Sequence, residues 1–195
     1  MSQIYNLKIN YNDVLVRMGA NKFKTHIDGK TENLITESID NVQKILQPKY
    51  ALSYINKKIE KDKIIIEDFV IESKDIIKLL EKSDIICGFV ATIGHAIDIK
   101  IDLLQKQNKA LAYIYDSIGS VAIEQLVNNI NEEIKKSNSG SAITRRFSVG
   151  YGDWKIENQK PFLKWLGADK IGITLSDTFQ MSPMKSVSAI MGLEK

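Results

Sequence analysis

The sequence predicts a single α+β domain over residues 1–195, with a twisted, largely antiparallel sheet and helices packed around it. Three observations carry this expectation. Six short β-prone stretches, around Ile4, Ile64, Ile85, Ile143, Ile173 and Val187, are interleaved with helical patterns. No strand-to-helix join carries the glycine-rich fingerprint of a doubly wound nucleotide-binding sheet. The 195 residues are 44% hydrophobic and 26% charged, enough apolar material for one compact core.

Residues 4–9 alternate apolar and polar side chains, as a short strand does. Asn12 is placed to cap a brief helix through Val14, Leu15 and Met18, which Gly19 ends. A polar loop follows to Gly29, where His26 beside Asp28 reads as a surface histidine. Residues 31–46 put Leu34, Ile35, Ile39, Val42, Ile45 and Leu46 on one helical face, and Pro48 stops the helix. Residues 57–63 are a charge run of mixed sign, read as a solvated turn.

Residues 63–72 are rich in strong β-formers. Ser73 is placed to cap a short helix over 74–82. Residues 84–92 are almost continuously apolar, which predicts a central strand covered on both faces. Cys87 lies in this run and reads as a small buried hydrophobe. As the single cysteine it excludes an internal disulfide and suits a reducing compartment. Thr92-Ile93-Gly94-His95 then leads into a helix to about Gln107. Its first N–H groups could hold an anion, or His95 could simply start the helix at the surface.

Residues 110–136 form the longest helix, with Leu111, Ile114, Ile118, Val121, Ala122 and Leu126 as its apolar stripe. Gly119-Ser120 marks a place where a neighbour can approach closely. Asp116 and Glu124 are eight positions apart, about 80° around a helix, so they border one patch. They can attract an ammonium or a sulfonium, or stand as solvated acids. Residues 137–141 are a loop, and 142–149 a strand. Residues 157–166 read as a helix with Phe162, Leu163 and Leu166 inward and Gly167 closing it. A short apolar stretch at 171–175 follows. Ser176 is placed to cap a single turn before Pro183, and 184–193 make a final strand.

The organising stretch is Arg145-Arg146-Phe147-Ser148-Val149-Gly150-Tyr151-Gly152-Asp153-Trp154. Arg offers a planar, permanently charged fork for a carboxylate. Gly150 and Gly152 permit backbone angles closed to other residues and close approach of a ligand. Tyr151 and Trp154 offer flat faces to a ring or a cation, with exposed aromatic surface expected there. These parts suit a zwitterion that carries a base and a positive sulfur.

Arg146-x-x-x-Gly150-Tyr151, then Leu175-Ser176-Asp177-Thr178-Phe179-Gln180-Met181-Ser182-Pro183, then Ser186-Val187-Ser188-Ala189 closely resemble the activation domain of cobalamin-dependent methionine synthase. The resemblance covers 145–192 and departs from the family at Gly152-Asp153-Trp154, where a Pro-rich stretch is usual. It implies an activation domain-like fold and binding of S-adenosylmethionine, which donates the methyl group that rescues an inactive cobalamin. It further implies Arg146, Gly150, Tyr151 and Glu124 as the ligand-binding residues, with Tyr151 between sulfonium and corrin and Asp116 as second choice to Glu124.

The chemistry the sequence excludes agrees with this. There is no HExxH, CxxC, P-loop or GxSxG motif, and so no apparatus for a metal hydrolase, nucleotide phosphatase or serine hydrolase. The Asp-x-His-x-x-Gly motif that ligates cobalt in corrinoid proteins is also missing, so the cobalamin is expected on a partner. That partner would be a cobalamin-dependent methionine synthase or another corrinoid protein, with an electron donor such as flavodoxin. The chain would then be a component of reactivation with no turnover of its own. A docking protein with a weakened pocket, or an activator of a different corrinoid methyltransferase, are the alternatives. Net charge is +3 with dispersed lysines, which indicates no nucleic-acid partner. No apolar run is long enough to span a membrane and the N-terminus lacks a signal-peptide pattern, so a cytoplasmic location is expected.

Overall fold

The computed structural model describes residues 7–20 and 26–194. Its centre is a four-stranded antiparallel sheet. The strand β1 (Lys49–Asn56) pairs with β5 (Ile85–Thr92), which pairs with β9 (Ser186–Glu194), and β6 (Ala142–Ile143) closes the far edge. β5 is the predicted central strand. It runs in full register with both neighbours, from Lys49↔Thr92 to Asn56↔Ile85 on one side and from Ile85↔Leu193 to Thr92↔Ser186 on the other.

The alternation along β5 feeds two cores. Cys87, Phe89 and Ala91 point to one face, where the helices α1 (Tyr11–Arg17), α2 (Gly29–Ile45), α4 (Ala96–Gln107) and α5 (Lys109–Ser137) pack. Ile86 and Val90 point to the other, against α3 (Lys74–Leu79), α6 (Gln159–Leu166) and a small three-stranded sheet. Gly88 lies between them on this second face because Trp165 lies against the strand there. A Cβ on Gly88 would stand 2.2 Å from Trp165 Cζ3.

The small sheet corrects the reading of 57–72. The charge run contains an exposed strand, β2 (Lys58–Glu60), and the apolar stretch is a hairpin of β3 (Lys63–Ile66) and β4 (Phe69–Ile71), not one strand. The reversals fall on Lys61, Asp62 and Glu67, which take positive φ values of 47°, 61° and 47° without a glycine to announce them. β1 was likewise not foreseen, because its residues are mostly half-buried and its alternation is weak.

Several predicted elements shift. Of the expected strand at 4–9, residues 4–6 lie outside the described residues, and 7–9 form no strand. Leu7 and Ile9 are nevertheless buried, and side-chain amides of Gln43 and Gln125 donate to the carbonyls of Leu7 and Lys8 at 3.0 and 2.7 Å. α1 is capped by Asn10, whose Oδ1 accepts from the Asn12 and Asp13 N–H groups, and not by Asn12. Ser73 caps α3 as expected, through a bond from the Ile76 N–H. The strand at 142–149 is short: beyond β6 only Phe147 bridges to Ile190. The tail carries a two-stranded hairpin of β7 (Thr174–Leu175) and β8 (Met181–Ser182). Ser176 caps no helical turn there; its hydroxyl accepts from the Gln180 N–H and closes the hairpin loop.

Gly88→Ala forces Trp165 off the sheet, an overpacking error of about 1–3 kcal/mol. It should lower the urea midpoint of unfolding, whereas Gly29→Ala, where a Cβ meets nothing within 4 Å, should not.

Candidate functional site

The site is built on one face of α5. Asp116, Ser120, Glu124 and Asn128 recur every four residues, so they form a single polar row along the helix. The apolar face of the same helix, with Ile114, Ile118, Ala122, Leu126 and Ile130, is buried against the sheet. Two cations from distant parts of the chain reach this row, and each bridges two of its members.

Lys185, just before β9, donates from Nζ to Asp116 Oδ1 at 2.7 Å and to Ser120 Oγ at 2.9 Å. Its side chain is only 14% exposed. The close approach expected at Gly119 is made by this lysine and by α4: a Cβ there would lie 3.2 Å from Lys185 Cε and 3.4 Å from Ile97 Cγ1. Two turns along α5, Arg146 donates from Nη2 to Glu124 Oε2 at 2.7 Å and from Nη1 to Asn128 Oδ1 at 3.2 Å. The structure thus brings Arg146 and Glu124 into direct contact and places Asp116 apart from them, on a different cation. Lys185 and Asn128 were not singled out by sequence, and Ser120 was marked only, with Gly119, as a place of close approach. The four-residue spacing from Asp116 and Glu124 is the signal that could have found Ser120 and Asn128.

Past Arg146 the chain turns sharply at Gly150, whose N–H donates to the Trp154 carbonyl at 3.0 Å. Gly150 has φ +87°, and a Cβ on it would come within 2.8 Å of Ile156 Cδ1. Only glycine fits this position without strain. The turn is pinned to the start of α3 by Asp153. Its carboxylate accepts from the Ser73 hydroxyl and from the Lys74 and Asp75 N–H groups, while the Asp153 N–H donates to Asp75 Oδ2 at 3.3 Å. The Ser73 hydroxyl, and after it these backbone donors, hold the Asp153 carboxyl below its ordinary value of 3.8.

Tyr151 stands at the tip of this turn, 69% exposed. Trp154 does not share that exposure, which corrects the expectation of an aromatic platform from both. It is 1% exposed and packs edge-on against Phe162, centroids 5.4 Å apart, as an anchor of the second core. Arg145 turns over the Phe147 ring at 5.9 Å.

Two clefts flank these elements. One of about 630 Å³ lies between α1 and α5 and is lined by Glu124, Asn128, Ser120, Asp13 and Arg17 among others. The other, of about 710 Å³, lies between the β2–β3 turn and α3 and reaches Asp153. Elsewhere, His95 starts α4 exposed and without a side-chain cap bond, His26 is exposed, and burial pushes the Cys87 thiol up to about 12. Among the described residues, no helix is long and apolar enough to cross a membrane.

The chain as a whole is similar to a crystal structure of the MetH reactivation domain bound to AdoHcy. The TM-score is 0.69 at 17% identity, over 94% of this chain and 73% of that one. This chain has the reactivation-domain fold. No protein-family model matches the chain, and no curated protein matches its sequence. At this identity the likeness concerns the fold, and it agrees with the α+β class expected from the sequence. Within the reactivation-domain fold, Arg146 and the Gly150 turn lie on one continuous run from β6 to α6, and Glu124 meets Arg146 from α5.

Because Asp153 is held ionised in the folded chain, its charge contributes stability in full above its ordinary value. That contribution is lost as pH falls through the lowered one. Asp153→Asn should therefore differ most from the parent chain above about pH 4, and the two unfolding profiles should converge at lower pH. Parallel profiles would show that the carboxylate does not hold the turn.

Proposed function

We propose that this chain binds S-adenosylmethionine and supports reductive methylation of a cobalamin held by a partner protein, a cobalamin-dependent methionine synthase or a related corrinoid protein. The observation that carries the reading is the contact of Arg146 with Glu124, four residues ahead of the Gly150–Tyr151 turn in the chain, in a fold like that of a domain solved with AdoHcy. A permanent cation and a carboxylate within one contact match the two charges of an α-amino-acid end.

S-Adenosylmethionine supplies the methyl group, a donor such as flavodoxin the electron, and the corrinoid stays with the partner. The residues of this chain bind and orient. Arg146 takes the methionyl carboxylate and Glu124 the ammonium. Gly150, without a Cβ, lets the ligand lie against the main chain. Tyr151, at the exposed tip, stands where the methyl carbon must face the partner. No side chain has to move a proton, since a sulfonium leaves as a neutral thioether. The chain's contribution is positional: the reacting atoms must come within about 3–3.5 Å.

Two measurements test this. Arg146→Ala should weaken S-adenosylmethionine binding by about 1.5–3 kcal/mol in calorimetry, the worth of a charged hydrogen bond; unchanged affinity in a folded variant would remove the pocket. In the second, the cob(II)alamin absorbance of a corrinoid-loaded methionine synthase is followed with reductant and S-adenosylmethionine. Its loss should require this chain, and equal loss without it would falsify the activator role.

A further inference from the structure

Two of the five N–H groups of the guanidinium assigned to a ligand carboxylate are already in use, one on each nitrogen of its end-on fork. Both of its terminal nitrogens are used within the chain, one on Glu124 and one on Asn128. The contact is not part of the core. Arg146 and Glu124 keep 31% and 56% exposure, and a solvent-exposed pair of this kind typically changes an equilibrium by about fivefold or less. α5 is held by its buried apolar face and does not depend on it. Glu124 and Asn128 also line the cleft of about 630 Å³ against α1, so a carboxylate released from Arg146 has open space beside it. The Lys185 bridge two turns away has the same form, but its cation is 14% exposed against 31% for Arg146, so it is the harder of the two to open.

We infer, on the reading given under Proposed function, that the ligand enters by ion-pair exchange. Its carboxylate takes Arg146 as Glu124 lets go, and Glu124 turns to its ammonium. One pair becomes two, and both protein charges stay compensated only when the ligand brings both of its own. A carboxylate-only ligand that takes the end-on fork must displace Glu124 and leaves it without a partner. An ammonium-only ligand must compete with Arg146 for Glu124. The pair therefore selects the zwitterionic amino-acid end as a unit, and the adenosine end alone does not open it.

The test uses the purified chain, calorimetry and two probes: AdoHcy, and 5′-S-(3-carboxypropyl)-5′-thioadenosine, the same molecule without its amine. Glu124→Gln removes the competitor for the carboxylate and the partner of the ammonium together. Exchange predicts shifts of opposite sign: AdoHcy weakens by about threefold or more, while the deaminated probe tightens by about threefold. Both probes moving in the same direction, or neither moving, overturns the exchange and leaves the binding function standing. AdoHcy failing to bind the parent chain overturns both. Near-ultraviolet circular dichroism of Glu124→Gln confirms that the variant is folded before affinities are compared.

Discussion

The arrangement depends on β5 being buried on both faces. A strand with no solvent face must be covered twice, and its alternation supplies each cover with apolar contacts: Cys87, Phe89 and Ala91 to the helical side, Ile86 and Val90 to the other. The long helix α5 is recruited to the first side by its apolar stripe. Its opposite edge, the row from Asp116 to Asn128, is thereby turned outward. The strand β9, beside β5, carries Lys185 to one end of that row. The run that leaves β6 on the far side of β9 carries Arg146 to the other end. The polar site follows from the packing of an apolar strand.

The same packing fixes the turn that follows Arg146. Trp154 and Val149 are drawn into the second core, while Asp153 is tied to the first N–H groups of α3. Between these anchors the chain has to reverse, and Gly150 provides the positive φ that lets it. Tyr151 is what remains outside. A large aromatic side chain left 69% exposed between two buried anchors is held by its neighbours and not by its own contacts.

What the sequence made legible follows from these forces. The central strand was readable because a continuous apolar run has few other places to go, and the helices because their stripes repeat with the right period. The small sheet β2–β3–β4 was not, since its turns are formed by Lys61, Asp62 and Glu67 in a conformation that usually asks for glycine or asparagine. Alternation at 7–9 mimicked a strand because Leu7 and Ile9 are buried in a segment without regular structure whose carbonyls at Leu7 and Lys8 accept from glutamine amides. At the site, Arg146 and Glu124 were named through the family resemblance and lie in contact. Trp154 was misread because Tyr151 and Trp154 stand at the two ends of one tight turn, the first toward solvent and the second in the core. Lys185 carried no signal, since a lysine before a strand is ordinarily a surface residue.

The two cation bridges on α5 show how burial divides similar chemistry into different roles. Each joins a charged side chain to an acid and to a polar residue four positions on. Breaking the Lys185 bridge would strand an ammonium that is largely shielded from water, a costly state where the local dielectric is low. Breaking the Arg146 bridge releases groups that water can reach at once, so little opposes it. The first therefore sets the distance between α5 and the start of β9, and the second can be remade around a guest. The proposed exchange of one weak internal pair for two external ones needs a rigid frame on either side of it. The Lys185 strut and the Asp153 clasp are placed to supply that frame.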